Sequence, residues 1–101
     1  MRQFRQGDVL VQSTTENIEG EEVARENGKI VLAHGEATGH CHAIASPSAK
    51  LFQGSGKRFL SVAKTVTLEH QEHDKITIPP GNYEVIRQRE YSPEAIRNVA
   101  D

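Results

Sequence analysis

The feature that most constrains this chain is a succession of short runs rich in β-branched and aliphatic residues, broken by glycine and proline turns at intervals of roughly ten residues. Gly7-Asp8 punctuates the start, and Val9-Leu10-Val11-Gln12 follows as a first strand. Further strands are predicted over Lys29–Ala33, His40–Ile44, Ala49–Phe52, Arg58–Val62, Thr65–His70, Lys75–Ile78 and Tyr83–Arg87. Ser46-Pro47-Ser48, Gln53-Gly54-Ser55-Gly56 and Pro79-Pro80-Gly81-Asn82 supply turn chemistry between them. Residues 13–28 carry Glu16, Glu19, Glu21, Glu22 and Glu26 with no clean period, which reads as an exposed hairpin or loop with a short strand near Val23. Ser92-Pro93-Glu94 is a helix start, with a hydroxyl at the N-cap, proline at the first helical position and an acid near the positive end of the dipole. One or two turns are predicted from Pro93 to about Val99. The fold expected is a single all-β domain over 1–101, a small antiparallel β-sandwich or barrel, with 88–101 as a C-terminal arm carrying the short helix.

Composition narrows the functions. A chain of 101 residues has room for one modest core and one site. Its net charge of −2 lacks the basic stripe that meets phosphate backbones, so nucleic acid is not the expected partner. Arg87, Arg89 and Arg97 are interleaved with Glu84, Glu90 and Glu94, which reads as a solvated mixed-charge surface. No apolar run approaches the roughly 20 residues that span a bilayer, and Met1-Arg2-Gln3-Phe4 does not begin a secretory signal, so a cytoplasmic chain without a membrane partner is expected. The single cysteine, Cys41, fits a reducing compartment.

The chemistry concentrates in five histidines. In a strand, residues i and i+2 share a face, so His40 and His42 project their imidazoles side by side while Cys41 points away, as a small core residue. That is the geometry of a metal pair, and imidazole nitrogen suits a divalent zinc, iron or nickel ion. A pair needs further ligands, and the candidates are His34, Glu36, His70 and His73. His34 is separated from the pair by the loop glycines Gly35 and Gly39. His70 ranks above His73 because its strand alternation is better defined and a late strand closing on the one that carries His40 would deliver it. Glu36 would ligate, orient a histidine through its second ring N–H, or act as a base. A hydrolase nucleophile elbow is absent, and Gln53-Gly54-Ser55-Gly56-Lys57 lacks the first glycine of a phosphate loop.

With His40-x-His42 following Gly35 and Gly39, and Ile78-Pro79-Pro80-Gly81 leading into a strand, the chain resembles a cut-down cupin from Gly35 to Val85. The resemblance implies a small β-barrel with His40 and His42 as paired metal ligands. The match stops there: no glutamate follows His42 closely, and no histidine follows Gly81. The stretch His34-Gly35-Glu36-Ala37-Thr38-Gly39-His40-Cys41-His42 and the phrase Arg87-Gln88-Arg89-Glu90-Tyr91 are also similar to a group of short bacterial proteins of unknown function, which implies no activity.

Two functions are expected to compete. One is a metal-binding β-barrel that, with a coordination position left open, would acidify a bound water and act on a small-molecule substrate. The other is a non-enzymatic assembly domain whose arm, carrying Tyr91 and Ile96, docks on a partner or on a second copy as a homo-oligomer.

Overall fold

The computed structural model describes residues 2–34 and 40–87. Its strands are β1 (Gln3–Gln6), β2 (Val9–Ser13), β3 (Glu21–Glu22), β4 (Ile30–His34), β5 (Cys41–Ile44), β6 (Ala49–Gly54), β7 (Lys57–Val62), β8 (Val66–Leu68), β9 (Ile76–Ile78) and β10 (Gly81–Arg87). A six-stranded sheet runs β1-β2-β10-β7-β6-β3, and two hairpins, β4-β5 and β8-β9, stand beside it. Every paired strand is antiparallel. Among the described residues there is no helix, and the sheets remain open where a closed barrel was one expectation. No helix there is long and apolar enough to cross a membrane. The expected C-terminal helix and arm lie outside the described residues.

Alternation explains the core. Val9 and Val11 of β2, Leu51 of β6, Leu60 and Val62 of β7, and Tyr83 and Val85 of β10 turn to one side of the large sheet. There they meet Ile30, Leu32 and Ile44 from the β4-β5 hairpin and Val66, Leu68 and Ile78 from the β8-β9 hairpin in one apolar cluster. Each fully buried aliphatic side chain contributes about 1.5–3 kcal/mol. Tyr83 is buried too, and its hydroxyl donates to the Pro79 carbonyl oxygen at 2.6 Å, closing the proline turn ahead of β10.

Three local features position the site. The β1-β2 hairpin turns at Gly7, whose φ of 60° is left-handed, and so presents Asp8 beyond the end of β2. In β4 the register slips between Val31 and Ala33, a bulge at Leu32 that places His42 opposite Ala33, a small partner. Finally, Ala43 and Glu69 exchange both backbone hydrogen bonds at 2.9 Å, which ties β5 to the residues just after β8. The residues just after Glu69 are thereby held beside β5, where Gln71 Oε1 accepts the Cys41 N–H at 3.0 Å.

Candidate functional site

Antiparallel pairing of Ala43 with Glu69 sets the neighbours on either side, His42 and His70, against each other. Their ring centroids are 4.3 Å apart. His40, immediately before β5, lies 5.8 Å from the His70 ring, so His40 and His42 both face His70. The chain then bends, and His73 comes back to 4.6 Å from His70 and 5.9 Å from His42. Four of the five histidines thus gather from two stretches of chain. His34 stands apart: it is exposed, and its Nε2 lies 3.2 Å from the Glu26 carboxylate. Glu36 lies outside the described residues. Cys41 is only half-buried and lines a cavity of about 150 Å³ with Glu69, His70 and Gln71, rather than joining the core. Its position at the start of β5, opposite the exposed His34, accounts for the difference.

His42 is the buried member, with 4% of its surface exposed. Its Nδ1 lies 2.8 Å from Gln6 Oε1. Gln6, itself buried, donates both protons of its side-chain amide, to the carbonyl oxygens of Leu68 at 3.0 Å and Asp74 at 2.9 Å. With both N–H groups committed, the Gln6 oxygen must accept, so His42 Nδ1 carries the proton and Nε2 carries the lone pair. That lone pair faces Asp8 Oδ1 at 3.6 Å. Asp8 is held through its other oxygen, Oδ2, by Arg87 Nε at 3.1 Å, and Arg87 also donates to the His34 carbonyl oxygen at 2.7 Å.

Burial pushes the His42 pKa down from 6.5 to about 4, and the neighbouring His70 adds to this, while Asp8 opposes it. His42 is therefore neutral at pH 7. Burial followed by the adjacent His73 and His40 also lowers the pKa of His70. The His70 Nδ1 accepts the Glu72 backbone N–H at 3.0 Å, which leaves its proton on Nε2. His40 Nδ1 lies 3.4 Å from Glu72 Oε2. Two or more neutral imidazoles packed together are chemically suited to a cation. Among the described residues, however, no three His, Cys, Asp or Glu side chains already point at one ion position. A separate cleft of about 460 Å³ is lined in part by His34, Glu26, Arg58, Glu84 and Arg87.

The groups that set the cluster's geometry, from Gln6 to Arg87, all fall within residues 5–88, over which the chain matches a family model described as a domain of unknown function, DUF8820. The chain belongs to that family. No curated protein and no solved structure matches it.

Sequence reasoning brought forward the histidines and missed Gln6, Gly7, Asp8 and Arg87. Gly7-Asp8 reads as a turn and nothing more, because its role depends on what lies across the fold. At Gly7 an added Cβ would lie 2.8 Å from His73 Nε2 and 3.3 Å from His42 Cε1, so a side chain there would push the His73 ring aside as well as strain the left-handed φ.

Proposed function

We propose that this domain binds a divalent metal ion through its histidine cluster, on a sandwich-like β scaffold. The observation that carries the reading is the bonding of His42: a buried imidazole whose Nδ1 meets the oxygen of a fully committed amide, which puts the lone pair on Nε2, the atom nearest Asp8. Metal-ligating histidines are oriented in this way, by a carbonyl or carboxylate on the ring nitrogen that does not bind. His42 is the anchor of the proposed site, and His40, His70 and His73 are the pool from which its other imidazole ligands come. The surrounding side chains have to turn onto the ion. His73 is exposed and makes that turn without loss of burial, whereas His70 would bind through Nε2 only after giving up its bond from the Glu72 N–H. The ion expected is zinc, iron or nickel, the divalent ions that imidazole suits. A site with three protein ligands keeps a position for water, which the ion would acidify, so a hydrolytic reaction on a small molecule is the activity to look for. The cupin likeness enters only at this level, as the shared His-x-His ligand pair.

Elemental analysis of the untagged chain tests the reading. About one divalent ion per chain is expected, lost in a variant carrying both His40→Ala and His42→Ala. Wild-type protein that stays metal-free after incubation with zinc, iron(II) and nickel would sink it.

A further inference from the structure

We infer that Asp8 is the carboxylate ligand of this site, paired with His42 Nε2, and that Gln6 and Arg87 are the positioning residues that hold the two in place. The inference rests on the metal-binding reading above and adds a residue outside the histidine pool.

The argument starts from two acceptors facing each other. His42 Nε2 bears a lone pair, and 3.6 Å away lies Asp8 Oδ1, an oxygen of an anion. Such a pair is stable when a cation sits between its members. A divalent ion held by both atoms meets that need. In a tetrahedral site, ion–nitrogen distances of about 2.0–2.1 Å and ion–oxygen distances of about 2.0–2.2 Å put neighbouring ligand atoms roughly 3.4 Å apart. The observed separation has only to close by a few tenths of an ångström.

Both partners are held from behind. Gln6 fixes the ring of His42 from the Nδ1 side, and Arg87 fixes the carboxylate from the Oδ2 side. Arg87 holds Asp8 by one charge-assisted bond to Oδ2, which leaves Oδ1 on the side of the imidazole. The Gly7 turn brings the third element. His73 Nε2 and His42 Cε1 both lie within 3.3 Å of the point where a Gly7 Cβ would be, so the His73 ring closes over the residue next to Asp8. With the exposed His73 side chain turned onto the ion, His42, Asp8 and His73 would make a mixed nitrogen and oxygen donor set. One carboxylate offsets part of the ion's charge and hardens the site, which favours zinc, cobalt or iron(II) over copper(I).

Cobalt(II) is the probe, because its visible absorption reports ligand type and geometry. Chelator-stripped full-length chain is titrated with cobalt(II), as wild type and as Asp8→Asn, Asp8→Glu and Gln6→Leu. Wild type is expected to take up one ion with a visible band, Asp8→Asn to bind at least about 10-fold more weakly with a shifted band, and Gln6→Leu to lose about 10- to 100-fold. Thermal melts of the metal-free variants establish that each is folded. Where Asp8→Asn does not fold, Asp8→Glu decides: the carboxylate is kept but moved, so the band shifts. Wild-type and Asp8 variants with the same affinity and the same spectrum overturn the role of Asp8 and leave the histidine reading standing. A wild type that binds no cobalt overturns both.

Discussion

Two turns of this molecule rest on glycine, and they differ in what crowds them. At Gly20 the backbone is left-handed, with φ of 107°, and the space a Cβ would take is filled by backbone: the Gln53 carbonyl and the Gly54 nitrogen, the latter at 2.7 Å. A Cβ added at Gly54 would in turn lie 2.7 Å from the Gly20 Cα. At Gly7 the crowding comes from side chains, the rings of His73 and His42. The first is a structural lock that joins the segment before β3 to the β6-β7 hairpin, backbone on backbone. The second is a space kept open for imidazoles. The same residue type lets backbone close on backbone at one site and borders the histidine cluster at the other.

That difference sets the expected order of effects. Gly20→Ala is expected to be the most damaging single change in the chain. Backbone cannot move aside as a side chain can, so overpacking of about 1–3 kcal/mol adds to a left-handed penalty of about 1–2 kcal/mol. A loss of about 3 kcal/mol or more by urea denaturation, with no change in cobalt affinity under conditions where the protein is folded, is the outcome expected. A Gly20→Ala variant as stable as wild type would show that the turn is free to separate, and the comparison would fail at its stronger end.

The next effect is the pH dependence of the histidine end. The pKa of His42 is about 4 in the native state against 6.5 when unfolded. Between those values the unfolded chain binds a proton that the native chain does not, so stability is full above pH 6.5 and falls as pH drops toward 4. A difference of this size is worth at most about 3.5 kcal/mol, since one unit corresponds to about 1.4 kcal/mol. The lowered pKa of His70 acts in the same direction. Chemical denaturation of metal-free protein across pH 4 to 7 checks this. A His42→Gln variant is expected to lose most of the slope, and a variant with the wild-type slope would place the titrating group elsewhere.

How much of this could be read from the chain alone follows from the range of each interaction. The strands carrying Val9, Leu51, Leu60 and Val85 are legible because alternation and β-branching are local. β1 is not, since Gln3-Phe4-Arg5-Gln6 is mostly polar and its pairing with β2 is what makes it a strand. The meeting of His42 with His70 was legible as something strand pairing could bring about, and the Ala43–Glu69 bridge is the pairing that does so. The tautomer of His42 was not legible. It depends on a Gln6 amide whose partners lie at 42, 68 and 74, far along the chain. The closed barrel implied by the cupin likeness is not what the described strands form, because short turn motifs report local geometry and do not specify how a sheet closes.

The smallest of these effects on stability, and the most informative for the comparison, is expected from Gly7→Ala. The left-handed φ of 60° at Gly7 costs about 1–2 kcal/mol for a residue with a Cβ. The contact with His73 adds little to that, because His73 is exposed and its ring swings away. The swing is the point of the experiment. A Gly7→Ala variant that loses about 1–2 kcal/mol in denaturant but binds cobalt much more weakly separates the space reserved for the imidazoles from the turn itself. Gly7→Asn sharpens the result further, because asparagine tolerates the left-handed region better than alanine while still carrying a Cβ. If Gly7→Asn recovers stability and not cobalt binding, the glycine is there for the histidines. If it recovers both, Gly7 is a turn residue only, and the two glycine sites differ in degree rather than in purpose.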